Sequence, residues 1–104
     1  MVELKIKRIG VVGAGTMGSG IAQVAAQAGF EVVMNDVEEK FVQGGLQKIE
    51  KNLARAVERG KMTAEEKAAV TAKIMATISL KDLADSDLVV EAVIEDRKTK
   101  KDVL

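Results

Sequence analysis

The sequence contains neither cysteine nor histidine. Without cysteine there are no disulfides, no thiolate nucleophile and none of the usual zinc sites. Without histidine the chain lacks the commonest general base at neutral pH, most metal sites and every Ser-His arrangement, so no metal site is expected. An excess of charge of one sign is missing too. Sixteen basic residues balance sixteen acidic ones, and no net field recommends nucleic acid or an anionic membrane as partner. No apolar run reaches the length of a signal peptide or a membrane span, which makes a cytoplasmic protein the expectation. No repeat, proline-rich linker or low-complexity tract divides the chain. Its 104 residues suffice for one compact domain with a core, but are few for an enzyme that must also build a substrate pocket.

What is present alternates between two periodicities. Ile9 to Val12 is a short β-branched run bounded by Gly13, as expected of a strand buried on both faces. Gly18 to Ala28 is rich in alanine, glutamine and isoleucine and predicts a helix ended by a left-handed turn at Gly29. Phe30 to Met34 predicts a second buried strand, leading into Asn35-Asp36. From Glu38 to Arg59 the apolar residues Val42, Leu46, Ile49, Leu53 and Ala56 recur by fours and threes, marking one face of a helix that Gly60 stops. Gly44-Gly45 inside that helix implies either a bend or a close backbone approach. Thr63-Ala64-Glu65-Glu66 is a capping box opening a short helix to about Lys73. Ile74 to Ile78 and Leu88 to Val93 predict further strands, with a turn or single helical turn over Ser79 to Ala84, and Arg97 to Leu104 begins another helical pattern. This order is that of a parallel sheet covered by helices, an α/β fold.

Gly13-Ala14-Gly15-Thr16-Met17-Gly18 is a G-x-G-x-x-G motif. Alone it is weak, because glycine pairs mark any tight turn from strand to helix. Here it follows a predicted strand, opens a predicted helix, has Ala22 four residues on and is followed by Asp36 at the end of the second strand. Gly13 then permits the turn, Gly15 clears space for a pyrophosphate, and Gly18 lets the helix pack on the strand. The helix N-terminus offers free amides and a partial positive charge to phosphates. Asp36 would accept hydrogen bonds from a ribose diol and repel a 2′-phosphate, favouring NAD over NADP. A Walker loop is excluded because Gly18 is followed by Ser19-Gly20 rather than Lys-Ser/Thr. An FAD site and an S-adenosylmethionine site stay open at this point.

The stretches "IGVVGAGTMGSGIAQVAAQAGFEVVMND" and "SDLVVEAVIED", with "KNLARAVERGKMT" between them, strongly resemble the NAD-binding domain of 3-hydroxyacyl-CoA dehydrogenases, especially the bacterial 3-hydroxybutyryl-CoA branch. The resemblance covers nearly the whole chain. It implies a Rossmann-type doubly wound parallel sheet, here truncated before the second half and before the family's helical C-terminal domain. Residues 1–104 would be an incomplete NAD-binding domain, lacking the catalytic and dimerisation parts. The implied reaction is interconversion of a 3-hydroxyacyl-CoA and a 3-oxoacyl-CoA, with hydride exchanged with NAD and a short acyl-CoA as substrate.

Carried over position by position, the resemblance assigns the cofactor to Gly13, Ala14, Gly15, Thr16, Met17, Gly18, Asp36, Ala92, Glu95 and Lys100. Glu91 either lines that site or marks where the strand reaches solvent. For the CoA moiety the matching positions are Asn52, where the family has a hydroxyl residue, and Arg59 or Lys61, where it has a lysine. Lys48, Asn52, Arg55 and Arg59 share a helix face by spacing, a stripe that either meets CoA phosphates or is only solvated.

Hydride transfer from an alcohol also needs a base for the hydroxyl proton. In the resembled family a His-Glu pair with a nearby Ser and Asn does this, at positions beyond Leu104. The 104 residues are therefore expected to bind NAD modestly and to turn nothing over. A homodimer or higher oligomer is implied for the full-length protein. Two alternatives remain: a stand-alone NAD-binding or sensing module, and another NAD-dependent dehydrogenase with a different substrate.

Overall fold

The computed structural model describes residues 6–92. Four strands, β1 (Arg8–Val12), β2 (Glu31–Asn35), β3 (Ile74–Thr77) and β4 (Leu88–Glu91), form one sheet in the order β3-β2-β1-β4, every pair parallel. Helices α1 (Thr16–Gln27), α2 (Glu39–Glu58) and α3 (Ala64–Ala72) fill the connections from β1 to β3. The register sets Ile9 beside Val32 and Leu88, and Val11 beside Met34 and Val90, so these side chains share one face of the sheet. Against that face pack Ala22, Ala25 and Ala26 of α1, Ile49 and Leu53 of α2 and Val70 of α3. Alanines at the α1 contact keep the helix close to the strands. Leu53 and Ile49 supply bulk at the α2 contact, each fully buried side chain contributing about 1.5–3 kcal/mol.

The connection from β3 to β4 crosses the other face. A 3-10 turn, Leu80–Leu83, lies over Gly10, where an added Cβ would meet Leu83 Cδ2 and Ser86 Oγ, each at 2.7 Å. The chain thereby leaves one edge of the sheet, passes β2 and β1, and adds β4 on the far side. Among the described residues winding in the second direction is carried by this turn rather than by a helix.

Most element limits follow the sequence reading, and the differences have local causes. Helix α1 begins at Thr16 rather than Gly18, because the glycine loop enters the helix directly, with Gly15 in extended conformation as its cap. β2 is displaced by one residue from Phe30–Met34 and includes Asn35, which pairs with Val12 and Thr77. β3 ends at Thr77, before the exposed Ile78. α2 runs uninterrupted through Gly44-Gly45. The capping box of α3 is complete, the Thr63 hydroxyl accepting from the Glu66 N–H and the Glu66 carboxylate accepting from the Thr63 N–H. Gly29 and Gly60 follow α1 and α2 at φ +103° and +73°. The expected helix from Arg97 and the strand end at Val93 lie outside the described residues.

One exposed carboxylate ties the fourth strand to the first. Asp87 Oδ2 accepts from the backbone N–H of Lys7 at 2.8 Å and of Arg8 at 3.0 Å, while the Asp87 N–H donates to the Arg8 carbonyl at 2.8 Å. Those two amide donors, Lys7 first, hold the carboxyl below the usual aspartate range, with a smaller contribution from the neighbouring positive charges. A carboxyl whose folded value is depressed contributes stability that is present above its unfolded value and lost as pH falls through its folded one. Thermal melts are therefore expected to decline from about pH 5 downward. Asp87→Asn should lower the melting temperature at neutral pH and flatten that acid limb; an unchanged acid limb in the variant would remove this role from Asp87.

Candidate functional site

The carboxyl ends of β1, β2 and β4 come together at one edge of the sheet, with β2 on one side of β1 and β4 on the other. That reversal opens a crevice beyond the strand ends, the place where open α/β sheets hold ligands. The loop after β1 fills its floor. Gly13 has φ +112°, a conformation L side chains rarely adopt, and its N–H donates to the Asn35 carbonyl at 2.7 Å. Gly18 sits so close beneath it that an added Cβ would lie 1.8 Å from the Gly13 carbonyl oxygen. Ala92, buried at the end of β4, donates its N–H to Val12 O at 2.8 Å and packs behind Gly18.

At Gly15 the Cβ direction meets nothing within 4 Å. The first turn of α1, Thr16 to Gly18, carries no acidic residue, and its amides have no intrahelical acceptor. Met17 is exposed beside them. Asp36 follows β2 and is half-buried, one carboxylate oxygen accepting from Ala14 N–H at 2.8 Å and the other from Val37 N–H at 2.7 Å. These bonds fix the carboxylate against the glycine loop. Each oxygen retains a further lone pair for a ligand. A slot without a side chain, free helix amides and an anchored acid fit a nucleotide's diphosphate and ribose.

The first half of α2 forms the remaining wall. Ala14, Gly15, Asp36, Lys40, Phe41, Gly44 and Lys48 enclose about 180 Å³. That volume is small beside the roughly 300–1,000 Å³ of complete ligand pockets, so it accommodates a part of a dinucleotide. Gly45 explains how α2 comes this close: a Cβ there would stand 2.7 Å from Ala14 O and 3.1 Å from Ala14 Cβ. Of the two sequence readings of Gly44-Gly45, the geometry shows close approach, at Gly45 alone. Lys48 Nζ reaches Thr16 Oγ1 at 3.1 Å. Neither Lys48 nor the α2 wall was assigned to this crevice by the glycine spacing; the signal for it was the glycine pair within an amphipathic helix.

The other sequence-predicted residues lie apart from the loop or outside the described region. Asn52 is exposed, and its amide donates to Gln23 Oε1 at 3.1 Å, joining α2 to α1. Arg59 caps the C-terminus of α2 and Lys61 follows it, both exposed. Arg59 lies about 16 Å farther along the helix than Lys48 at 1.5 Å per residue. The cationic stripe is thus divided, with Lys48 at the glycine loop and Asn52 at a helix contact. Glu91 is exposed as the last residue of β4, opposite Val12. Glu95 and Lys100 lie outside the described residues. No group of three or more potential metal ligands occurs among the described residues, and no described helix is long and apolar enough to cross a membrane.

A glycine turn of this shape at the switch point of a parallel sheet, with an acid after the second strand, defines a dinucleotide-binding domain of the Rossmann class. The family model for the 3-hydroxyacyl-CoA dehydrogenase NAD binding domain matches residues 8–104, and the chain belongs to that family. It is 48% identical over 96 residues to a probable 3-hydroxybutyryl-CoA dehydrogenase of Deinococcus radiodurans, covering 92% of this chain and 34% of the relative. A 3-hydroxybutyryl-CoA dehydrogenase of Mycobacterium tuberculosis is 46% identical over 98 residues, 94% of this chain and 34% of its own length. The crystal structure of (S)-3-hydroxybutyryl-CoA dehydrogenase from Ralstonia eutropha superposes with a TM-score of 0.86 at 39% identity, over 95% of this chain and 35% of that one. The chain spans about a third of the length of these relatives. The family makes the cofactor NAD, which removes FAD and S-adenosylmethionine from the open readings.

Proposed function

We propose that these residues are the cofactor-holding part of an NAD-dependent dehydrogenase that interconverts short 3-hydroxyacyl-CoA and 3-oxoacyl-CoA thioesters, with 3-hydroxybutyryl-CoA as the representative substrate. The observation that carries this reading is the anchored Asp36 beside the side-chain-free slot at Gly15, in a chain of this family. Bound there, NAD supplies the hydride acceptor. The chain's own residues bind and orient it: the amides of Thr16, Met17 and Gly18 receive the pyrophosphate over Gly13 to Gly15, Asp36 accepts from the adenosine ribose diol, and Ala92 backs the loop. Roles for Glu95 and Lys100 toward the cofactor, and for Asn52, Arg59 and Lys61 toward CoA, rest on the family likeness.

The sequence has no histidine, so the His-Glu pair that the family likeness implies for the hydroxyl proton has no match in it. The 104 residues alone are therefore proposed to bind NAD without turnover, as an incomplete domain whose catalytic and dimerisation parts lie in further sequence. The direct test is acetoacetyl-CoA-dependent NADH oxidation by the natural gene product, set beside the 104 residues alone. Activity in the former only is the expected result. Silence in both, with NAD binding intact, would favour a different substrate or a non-catalytic module.

Asp36 provides a second test, of cofactor choice. Loss of hydrogen bonds to a charged acceptor is worth about 1.5–3 kcal/mol, so Asp36→Ala should weaken NAD binding about 10- to 150-fold by that scale. NADP binding should change much less, and the ratio of the two affinities should collapse. A ratio already near one in the wild type would remove the discriminating role from Asp36.

A further inference from the structure

Lys48 is placed where an ammonium is poorly matched unless something else joins it. Its Nζ lies 3.1 Å from the hydroxyl of Thr16, the first residue of α1, at the helix end whose dipole already carries positive charge. Among the described residues no carboxylate lies within ion-pair distance of it. Arg8, Lys40 and Lys67 take Glu31, Asp85, Glu38 and Glu50. The acid that shares its cavity, Asp36, has its oxygens turned to the amides of Ala14 and Val37. The first turn of α1 contributes no acid. Two like-signed features therefore converge on one wall of a cavity that Asp36, Lys40 and Phe41 also line, and in which Gly15 and Gly44 carry no side chain and would leave an added Cβ in open space.

We infer that Lys48 is a phosphate-contacting residue of the dinucleotide site, meeting the pyrophosphate from α2. The inference rests on the dinucleotide reading of that loop and extends it to a residue outside the motif. An anion between the α1 amides and the Lys48 ammonium satisfies both, and charge-assisted hydrogen bonds are the strong kind. The Thr16 hydroxyl holds the lysine side chain at the site beforehand, so less rotamer freedom is lost on binding. The dinucleotide is favoured over the diphosphate of CoA because the same cavity contains Gly15 and Asp36, whereas Asn52, Arg59 and Lys61 lie farther along α2 or beyond it.

The test is calorimetric titration of this chain with NADH, ADP, adenosine and CoA, in the wild type and three variants. Lys48 is exposed, so Lys48→Met should fold with an unchanged melt while binding NADH and ADP about tenfold more weakly, as expected for one charge-assisted contact, and adenosine equally well. Gly44 precedes Lys48 by one helical turn, which sets residue 44 beside its ammonium. Gly44→Glu and Gly44→Gln are alike in size and differ in charge. Both should raise the melting temperature by replacing an open helical glycine, and the glutamate should weaken NADH binding several-fold beyond the glutamine. Equal ADP affinity in Lys48→Met and wild type would overturn the inference and leave the glycine-loop reading standing. A loss confined to CoA would overturn it by assigning the ammonium to the other diphosphate. A wild-type chain that binds neither NADH nor ADP would remove the dinucleotide reading and the inference together.

Discussion

Gly18→Ala is expected to abolish measurable NADH binding and to lower the melting temperature by more than about 10 °C. The added methyl would stand 1.8 Å from the Gly13 carbonyl oxygen and 2.6 Å from its carbon. Neither is the flexible end of a side chain. Relief requires α1 to move off β1 or the Gly13 turn to open, and both dismantle the floor of the crevice proposed to hold the cofactor. Overpacking of a well-packed core costs about 1–3 kcal/mol and occasionally more; a backbone obstacle this close belongs at the upper end. In a domain of this size each kcal/mol is worth roughly 4–8 °C. A melt and an NADH titration decide it. An alanine variant that binds NADH within a factor of two of wild type would show that the loop relaxes without loss of the site.

Gly45→Ala and Gly44→Ala should move stability in opposite directions, although they are neighbours in one helix. At Gly45 the new Cβ meets Ala14 O at 2.7 Å, Met34 Cε at 3.0 Å and Ala14 Cβ at 3.1 Å. The methionine end can yield; the Ala14 backbone cannot, because its N–H is held by Asp36 and its neighbour Gly13 by Asn35. A loss of about 1–3 kcal/mol is expected, with weakened NADH binding as α2 is pushed from the loop. At Gly44 nothing lies within 4 Å, and alanine should stabilise the helix by about 1 kcal/mol. Chemical denaturation of the pair measures both. Equal destabilisation by the two would mean that the helix, not its contact with the loop, sets the requirement for glycine.

The elements were legible because each rests on a local rule. Val42, Ile49 and Leu53 recur at helical spacing and do form the buried side of α2. Thr63 and Glu66 cap α3 through groups three residues apart. The glycine turn was legible for the same reason, since Gly13, Gly15 and Gly18 act within one turn and Asp36 lies just past the end of the adjacent strand. Legibility failed where a choice depends on how two helices meet. Lys48, Asn52, Arg55 and Arg59 are equivalent by spacing, yet the packing of α1 on α2 gives Lys48 the Thr16 hydroxyl and Asn52 the Gln23 amide. Arg59, one helical face but many residues away, serves the helix end instead.

By itself the sequence determined the strand and helix order, the glycine loop, the acid beyond the second strand and the absence of a histidine base, because periodicity, turn chemistry and composition act within a few residues. Only the tertiary structure decided that Gly45 rather than Gly44 carries the close approach and that Lys48 stands at the α1 N-terminus. Those outcomes depend on contacts between segments distant in the chain, where packing of whole elements selects among residues that local rules leave equivalent.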